Sequence, residues 1–288
     1  VEDAVEKYEK IEPQKIEEDN YFFRLSRYQD KLHEYLAREG VIVPEWRRKE
    51  ALDFVERGLE DFSISRVKEK MPWGVPVPGD DLQVQYVWFD ALTSYISTLG
   101  WPSSAKATEG KPEDLFEKFW VNGFTLQLAG KDQVRFQSIM WQAMLMSAGL
   151  PTTKHVFYHG FITSGGQKMS KSLGNVIDPI AIVDEYGTDA LRYFLARHIH
   201  PFEDSDFTME RFKEAYNADL ANGLGNLAAR IMKLSSEYLK KIPDIPNIKD
   251  VPDIHTDIRE FRLNDALFTL RHWMEHLDGL IQEQRTFE

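Results

Sequence analysis

The sequence predicts an α/β fold in which a parallel-sheet body is followed by an α-helical bundle. In the middle of the chain, apolar runs at 124–129 and 156–158 predict two strands, and the periodicity over 132–148 predicts a helix between them. This spacing is typical of a right-handed crossover that joins parallel strands. After residue 176, apolar residues recur at three- and four-residue steps, which is typical of helices that pack together.

Length and composition restrict the class of protein. The chain has 288 residues and a mass of 33.5 kDa, a length typical of about two domains. No apolar run reaches the ~18 residues that a membrane-spanning helix needs. The acidic N-terminus lacks the pattern of a secretory signal, and without an initiator Met the chain is expected to be an excised piece or a partial record. The absence of cysteine excludes disulfides and suits a cytoplasmic location.

The charge is distributed unevenly along the chain. The net charge of −12 excludes a global basic footprint for nucleic acid. Residues 126–175 nevertheless hold five basic residues against one acidic residue, a net charge of +4. A positive island in an acidic protein indicates a site for a phosphate-rich ligand, although chance clustering remains an alternative on charge alone.

Periodicity and turn residues predict the elements outside the crossover. Ser26 opens the form of a capping box, so a helix is expected at about 26–39. Glycines and prolines at 72–80 predict a loop or edge structure, and the apolar run at 84–89 predicts a buried strand. Further helices are predicted from Pro44, from Thr188, from a cap at Thr208, and through 258–281.

The most informative segment reads GGQKMSKSLGN and covers residues 165–175. Its glycines allow the backbone to approach a phosphate and give the loop freedom to close. The ammonium groups of Lys168 and Lys171 can neutralise the charge that develops when a phosphoryl bond is attacked. The residues therefore predict a mobile phosphate clamp, with a solvated basic loop as the alternative.

The same segment carries a family resemblance. Residues 168–172 read KMSKS, and this resembles the signature loop of the class I aminoacyl-tRNA synthetases. The flanking strings at 159–161 (HGF) and 173–175 (LGN) are also similar to that family. The string YVWFDALTSY at 86–95 resembles the strand and turn that build the methionine pocket of the methionyl branch.

The resemblance implies a domain organisation. It covers nearly the whole chain as the second half of a Rossmann-like parallel-sheet catalytic domain followed by an α-helical anticodon-binding bundle. The implied segments are the end of a connective insertion at 1–24, the half-domain at 25–167, the KMSKS loop and stem-contact region at 168–207, and a truncated anticodon domain at 208–288. None of the eight histidines forms the His-x-Gly-His motif of the family, so the chain is expected to lack the first half, with a separately encoded N-terminal half as one way to complete it.

The resemblance also implies roles in the catalytic half. The methionine pocket would be lined by Trp88, Ala91, Leu92 and Tyr95, and aromatic walls suit a polarizable thioether. ATP would be bound by Gly130, Asp132, His159, Phe161, Lys171 and Arg66. Lys168 and Lys171 would be the catalytic lysines. Each role has an ordinary alternative: core aromatics on a strand, a helix N-cap at Asp132, and a surface arginine at Arg66.

In the helical half, Asn226 and Arg230 resemble the residues of the family that read the anticodon. They are four residues apart, so they project from one face of a helix. Amide and guanidinium groups can read unstacked bases, although ordinary surface decoration is the alternative. Phe287 is a candidate for the aromatic residue that stacks on an anticodon base.

Two residues depart from the pattern of the family. Many members carry an apolar residue at the position of Gln133 and a histidine at that of Gln137. A glutamine can donate and accept hydrogen bonds but cannot ionise, so a proton relay at Gln137 is in doubt. The zinc cysteines of the family belong to the part that this chain is expected to lack, so composition leaves zinc open.

The function expected from the resemblance is that of a methionine–tRNA ligase fragment. Its substrates would be L-methionine, ATP with Mg²⁺, and tRNA(Met), and no membrane is implied. One alternative is a class I synthetase for leucine, isoleucine or valine, in which the aromatic pair of Trp88 and Tyr95 is not expected. The other is a non-catalytic tRNA-binding module.

Overall fold

The computed structural model describes residues 17–101, 115–241 and 251–283. The chain divides into two compact units, the first comprising residues 1–128 and 132–157, and the second residues 129–131 and 158–288. Of the predicted insertion segment at 1–24, residues 1–16 lie outside the described residues. Within the described ranges, no helix combines the length and the apolar character that crossing a membrane requires.

The first unit contains the predicted crossover. Its strands are Phe22–Phe23, Ile42–Val43, Phe62–Ser63, Ser65–Val67, Pro76–Val77, Asp80–Gln85, Leu126–Gly130 and His155–His159, of which the last two reach into the second unit. Its helices and helical turns are Leu25–Tyr28, Gln29–Leu36, Glu45–Glu56, Val87–Ala91, Ser94–Ser97, Phe116–Val121, Arg135–Met140 and Trp141–Ser147. The strand Ile42–Val43 pairs in parallel with His155–His159, which lies between it and Leu126–Gly130. The predicted parallel sheet is therefore confirmed.

A polar network holds the crossover helix against the sheet. Gln142 donates to Thr153 Oγ1 at 3.1 Å and accepts from the Thr153 amide at 3.0 Å. The Thr153 hydroxyl donates in turn to Gln127 Oε1 at 2.6 Å, on the neighbouring strand. All three residues are buried, and buried polar groups must be paired to avoid a desolvation cost. The network thus fixes the helix that begins at Arg135 relative to the strands on either side.

The helices predicted at 26–39 and from Pro44 are confirmed, but the proposed cap is not. The Ser26 amide and hydroxyl both donate to Asp61, at 3.1 and 2.6 Å, and no side chain caps the turn Leu25–Tyr28. These two hydrogen bonds, with that from the hydroxyl the larger cause, lower the pKa of the Asp61 carboxyl. Ser26, which the local sequence predicts as the cap of the helix, instead donates its hydrogen bonds to the sequence-distant carboxylate of Asp61.

The buried strand predicted at 84–89 is wrong beyond its first two residues. The strand ends at Gln85, and the chain continues as the helix Val87–Ala91. Val87 is 58% exposed, so the apolar run is not buried throughout. Leu92 and Ile96, spaced four apart, point into the core instead. The run therefore combines the end of an antiparallel strand with the first apolar positions of a helical stretch.

The second unit combines a small sheet with helices. Its strands are Ile162–Ser164, Gln167–Lys168 and Ser205–Asp206. Its helices are Pro179–Tyr186, Thr188–His198, Met209–Ala215, Tyr216–Gly225, Asn226–Tyr238, His255–Arg259 and Leu263–Glu283, of which Tyr216–Gly225 has π-helical geometry. The Thr208 hydroxyl accepts from the Arg211 amide, as predicted for a cap. Phe194, Phe207 and Phe212 form the centre of its core.

The last predicted helix is interrupted. It begins as His255–Arg259 and resumes as Leu263–Glu283. Phe261 lies between the two parts with a φ of 61°, a conformation that ends a helix. Arg262 forms ion pairs with Asp257 at 2.5 Å and with Glu260 at 2.6 Å across this break. Apolar periodicity continues through the break, which is why the sequence predicts a single helix.

Asp219 joins three helices of the second unit. Its buried carboxylate accepts from the Tyr193 hydroxyl at 3.1 Å, lies 2.8 Å from His198 Nε2, and pairs with the Arg271 guanidinium. Burial, together with the charge and hydrogen bond of Asp219, raises the pKa of Tyr193 to about 12. The carboxylate therefore holds together polar groups of the helix Thr188–His198 and the guanidinium of the helix Leu263–Glu283.

We expect Asp219→Ala to destabilise the second unit by about 3 kcal/mol, because removal of one partner leaves the other polar groups unpaired. Urea unfolding of the purified chain measures this loss. Asp265→Ala is the matched control, since its 3.4 Å pair with Arg262 is exposed and such pairs contribute about 0–1 kcal/mol. Equal losses in the two variants would contradict the role assigned to Asp219.

Candidate functional site

The aromatic residues predicted to line a methionine pocket lie in the first unit. The Trp88 ring stacks on Phe136 with a centroid separation of 4.7 Å, and the Tyr95 ring lies 5.9 Å from that of Trp141. Trp88 and Tyr95 are both half-buried, so each ring retains an accessible part. The helix Val87–Ala91 and the turn Ser94–Ser97 present these rings, while the crossover helix supplies Phe136 and Trp141.

Ala91 and Leu92 differ in their surroundings. Ala91 is exposed, whereas Leu92 is 1% exposed and packs in the core with Ile96, Trp120 and Trp141. Leu92 therefore anchors the turn Ser94–Ser97 to the core. Burying a leucine side chain contributes about 1.5–3 kcal/mol, which helps to hold this segment against the core.

Gln137 completes the polar side of this aromatic cluster. Its Nε2 donates to the Tyr95 hydroxyl oxygen at 2.8 Å. The side chain is 4% exposed, and no described residue donates to its Oε1. With its oxygen accepting from Gln137, Tyr95 keeps its own proton to donate elsewhere. The departure from histidine thus supplies a neutral donor that no pH change removes.

Arg66 is held close to the same region of the first unit. Its guanidinium lies 4.7 Å from the centre of the Tyr86 ring, a cation–π distance. Its Nη1 donates to the Ser63 hydroxyl at 2.8 Å and to the Ser65 carbonyl at 2.6 Å. These contacts fix the guanidinium and use the donors of one nitrogen.

Asp132 follows the carboxyl end of a strand of the parallel sheet, where open α/β sheets bind ligands. The strand Leu126–Gly130 leads directly into the helical turn Lys131–Gln133 that contains it. The carboxylate is exposed, and Gln133 Nε2 lies 3.5 Å from its Oδ2. No side chain caps the helix that begins at Arg135, so the alternative of an N-cap at Asp132 is wrong for that helix.

The lysine segment of the second unit begins with a tight hairpin. The strands Ile162–Ser164 and Gln167–Lys168 pair antiparallel, and Gly165 and Gly166 form the two-residue turn. Both glycines have positive φ, 62° and 74°, which is the geometry that such a turn requires. A side chain at either position would be strained, so the sequence Gly-Gly sets the start of the loop.

Asn175 closes the loop that follows. Its Oδ1 accepts from the Ser170 amide at 2.9 Å, and its Nδ2 donates to the Lys168 carbonyl at 3.3 Å. Lys171 lies at the tip of this closed turn and is exposed. Within the described part of the chain, its ammonium group forms no hydrogen bond or ion pair. The Lys171 ammonium is therefore an unpaired cation on a loop whose two ends are joined by the hydrogen bonds of Asn175.

Phe161 is surrounded by charged groups of the second unit. The ammonium groups of Lys131 and Lys168 lie 4.8 and 5.0 Å from its ring centre. Asp204 accepts from the Phe161 amide at 2.8 Å and pairs with Lys131 at 2.7 Å. His159, two residues earlier, is exposed and its Nδ1 lies 2.9 Å from the Gly160 carbonyl oxygen. The structure thus brings Phe161 and Lys168 together and adds Lys131 and Asp204.

Asn226 and Arg230 lie in a cavity of about 270 Å³ within the helices of the second unit. Arg230 donates to Asp278 at 2.5 Å, and Gln282 donates to the other oxygen of that carboxylate at 2.9 Å. The cavity is also lined by Asp219 and Arg271. Phe287, the predicted stacking aromatic, lies outside the described residues.

Sequence reasoning missed four residues of these clusters: Phe136, Lys131, Asp204 and Asp278. Phe136 has the spacing of an ordinary core residue, and the two carboxylates are far in sequence from the groups they hold. For Lys131, its place in the positive window at 126–175 was a signal. Among residues 17–101, 115–241 and 251–283, no group of three or more His, Asp or Glu side chains is arranged to hold a metal ion.

Comparison with known proteins decides the family. Residues 1–232 match the family model described as tRNA synthetases class I (M). The chain belongs to this family. The segments at 86–95 and 165–175 that carry the resemblance both lie within the matched residues.

Individual relatives of the class I (M) family agree with this assignment. The chain is 46% identical over 241 residues to a methionine–tRNA ligase of Nostoc sp. The aligned region covers 83% of this chain and 44% of the relative. A methionine–tRNA ligase of Thermotoga maritima is 44% identical over 256 residues, covering 88% and 39%. The chain thus spans less than half the length of these curated relatives.

A solved structure of the class I (M) family has the same fold. Mycobacterium tuberculosis methionyl-tRNA synthetase in complex with methionyl-adenylate superposes with a TM-score of 0.82 and 36% identity. The match covers 94% of this chain and 54% of that one. The mixed α/β fold with a parallel sheet, predicted from the sequence, is therefore confirmed.

Proposed function

We propose that the natural polypeptide carrying this chain is a methionine–tRNA ligase. It would activate L-methionine with ATP and transfer the methionyl group to tRNA(Met) in the cytoplasm. The observation that carries the proposal is the tied KMSKS loop, with an exposed and unpaired Lys171, in a chain that matches the class I (M) family over residues 1–232. The structurally similar M. tuberculosis enzyme was solved in complex with methionyl-adenylate, and this supports methionyl-adenylate as the intermediate of the proposed reaction.

The first step would be the formation of methionyl-adenylate. A carboxylate oxygen of methionine attacks the α-phosphorus of ATP, and the bond from that phosphorus to the bridging oxygen breaks as pyrophosphate leaves. In the second step, a hydroxyl of the terminal ribose of tRNA attacks the activated carbonyl and releases AMP. Mg²⁺ would accompany the phosphates of ATP as part of the substrate.

The lysines would stabilise the first step electrostatically. Charge increases on the α-phosphate and on the departing pyrophosphate, and preorganised cations lower the barrier where such charge develops. Lys171 would act directly because its ammonium is exposed and free of partners within the described residues. Lys168 would act from the base of the loop, where its ammonium lies 5.0 Å from the Phe161 ring centre.

Binding of the nucleotide would use the remaining predicted residues. Gly130 permits close approach at the strand end, and the exposed Asp132 carboxylate has free acceptors for ribose hydroxyls. His159 and Phe161 offer ring surfaces to the adenine. Arg66, held by Ser63 and Tyr86, would present its remaining guanidinium donors to ATP or to the methionine carboxylate.

The methionine side chain would lie against Trp88, Ala91 and Tyr95, with Leu92 supporting the turn. Aromatic faces make favourable contacts with a thioether sulfur. Because Gln137 donates to the Tyr95 oxygen, the Tyr95 proton is available to the sulfur, a weak acceptor. A branched aliphatic side chain offers no acceptor at that point.

We expect Tyr95→Phe to raise the KM for methionine by about two- to tenfold, because one hydrogen bond is worth about 0.5–1.5 kcal/mol and 1.4 kcal/mol is a factor of ten. Methionine-dependent ATP–pyrophosphate exchange measures KM. Tyr216→Phe, whose ring packs against the core of the second unit, is the control. An unchanged KM in Tyr95→Phe would remove the hydroxyl from substrate recognition.

We infer that the helices of the second unit bind tRNA as an anticodon-binding bundle. The support is the cavity that holds Asn226 and Arg230, whose amide and guanidinium groups suit unpaired bases. The contact between Arg230 and Asp278 keeps the guanidinium in the cavity, where its other donors can reach a base.

Transfer of labelled methionine to tRNA tests the proposed function. The natural polypeptide is incubated with ATP, Mg²⁺, [³⁵S]methionine and total tRNA, and acid-precipitable label is counted. We expect label on tRNA that competes with unlabelled methionine. Transfer of leucine, isoleucine or valine instead would favour another class I synthetase, and tRNA binding without any transfer would favour a non-catalytic module.

A further inference from the structure

We propose that Asp206 and Asp204 are positioning residues for adenylate formation. Both lie at the strand Ser205–Asp206, and together they hold the hairpin that leads into the lysine loop. The inference rests on the proposed function for its kinetic consequence, whereas the anchor itself can be measured without any activity.

Asp206 fixes the turn of the hairpin. Its Oδ1 accepts from the Gly166 amide at 2.8 Å and from the Thr163 hydroxyl at 2.9 Å. One carboxylate thus joins a residue of the first hairpin strand to the second glycine of the turn. The Gly166 amide is the larger cause, and the Thr163 hydroxyl the second, by which the pKa of Asp206 is lowered below its ordinary value. The carboxylate is therefore ionised at neutral pH, and hydrogen bonds to charged acceptors are the stronger kind.

Asp204 holds the start of the first hairpin strand, Ile162–Ser164, through the residue that precedes it. Its Oδ1 accepts from the Phe161 amide at 2.8 Å, and its Oδ2 pairs with the Lys131 ammonium at 2.7 Å. The strand also runs parallel to Ile162–Ser164, and the Ser205 amide donates to the Phe161 carbonyl at 3.0 Å. Backbone and side chains therefore hold the entire first strand of the hairpin.

The supporting strand is itself fixed. Phe207 follows it directly and is 3% exposed in the core of the second unit. The Arg211 guanidinium donates to the Asp206 carbonyl from the helix that Thr208 caps. At its other end the chain passes so close to Gly160 that a Cβ there would lie 2.1 Å from the Glu203 carbonyl. Asp204 and Asp206 thus connect the hairpin to a part of the molecule that cannot move easily.

The anchored hairpin and the unpaired Lys171 ammonium occupy different parts of the lysine segment. Lys168 ends the anchored hairpin, and Lys171 follows three residues later on the loop closed by Asn175. Without the Asp206 carboxylate, the Gly-Gly turn loses its side-chain support and samples other conformations, since glycine restricts the backbone least. A small misplacement of a catalytic group is enough to slow a reaction by orders of magnitude.

The test compares three variants of the natural polypeptide in rapid-quench assays of adenylate formation. Asp206→Ala removes the acceptors, Asp206→Asn keeps an acceptor oxygen, and Glu203→Gln removes a neighbouring exposed charge for which no described residue is a hydrogen-bonding partner. We expect Asp206→Ala to lower the rate constant about tenfold with an unchanged burst amplitude and an unchanged KM for methionine. Asp206→Asn should recover to within about threefold, and Glu203→Gln should match the unmodified protein.

Hydrogen–deuterium exchange over the peptide 162–168 supplies the readout that needs no activity. We expect faster exchange there in Asp206→Ala but not in Glu203→Gln. Faster exchange with an unchanged rate constant would overturn the positioning role, and so would a loss confined to the burst amplitude, which reports a smaller folded fraction. If the unmodified protein forms no methionyl-adenylate, the proposed function fails instead, while the exchange result still decides whether Asp206 anchors the hairpin.

Discussion

Lys171→Ala is expected to slow adenylate formation about a hundredfold while leaving the KM for methionine nearly unchanged. Loss of a positioned cation typically costs ~3 kcal/mol of barrier, which corresponds to this factor. In the proposed function, methionine would bind through aromatic contacts in another part of the chain, so its binding would not depend on the ammonium. Single-turnover formation of adenylate, followed with excess enzyme, measures the rate constant directly.

Two further variants sharpen this prediction. Lys213→Ala removes an equal charge from an exposed helical position of the same unit and should leave the rate unchanged. Lys168→Ala should have a smaller effect than Lys171→Ala, because its ammonium lies by the Phe161 ring at the base of the loop. A rate in Lys171→Ala within twofold of the unmodified protein would refute the assigned role.

Arg230→Ala is expected to weaken charging of tRNA by about 10- to 100-fold and to spare ATP–pyrophosphate exchange. An arginine contact to a base is worth about 1–3 kcal/mol, and exchange requires no tRNA. The ratio kcat/KM for tRNA(Met), measured beside the exchange rate, separates the two effects.

The contact between Arg230 and Asp278 provides the controls for this prediction. Asp278→Asn keeps the volume of the side chain but removes the charge that holds Arg230 at 2.5 Å, so charging should fall by a smaller factor than in Arg230→Ala. Lys233→Ala removes an exposed charge from the same helix and should charge normally. Equal losses of charging and exchange in Arg230→Ala would contradict an anticodon contact.

Local patterns predicted much of the fold. The strand–helix–strand unit at 124–158 has strongly apolar strands and a periodic helix, and the structure contains all three elements. In contrast, the hairpin turn at Gly165 and Gly166 was not predicted: glycine permits many backbone conformations, so the sequence indicated only a loop, whereas the structure places both residues at positive φ between two paired strands. The apolar run at 84–89 predicts a strand where the structure has the helix Val87–Ala91, because a short apolar run has the same composition in either state.

Groups that meet across long sequence distances could not be predicted. Asp204 is 43 residues from Phe161, and Asp278 is 48 residues from Arg230. No spacing rule connects such pairs, because tertiary packing alone brings them together. The same reason explains Ser26, whose hydroxyl bonds to Asp61, 35 residues away, rather than to its own helix. Motif residues such as Lys171 could be predicted because the residues of the motif are adjacent in the sequence.

ATP–pyrophosphate exchange by the natural polypeptide, with one amino acid at a time, decides whether the aromatic residues select methionine. Trp88 and Tyr95 provide an aromatic surface and a free hydroxyl proton, which favour a thioether over a branched aliphatic chain. We expect rapid exchange with methionine, and exchange at background level with leucine, isoleucine, valine or no amino acid. Exchange supported by a branched aliphatic amino acid, or none with methionine, would contradict this expectation.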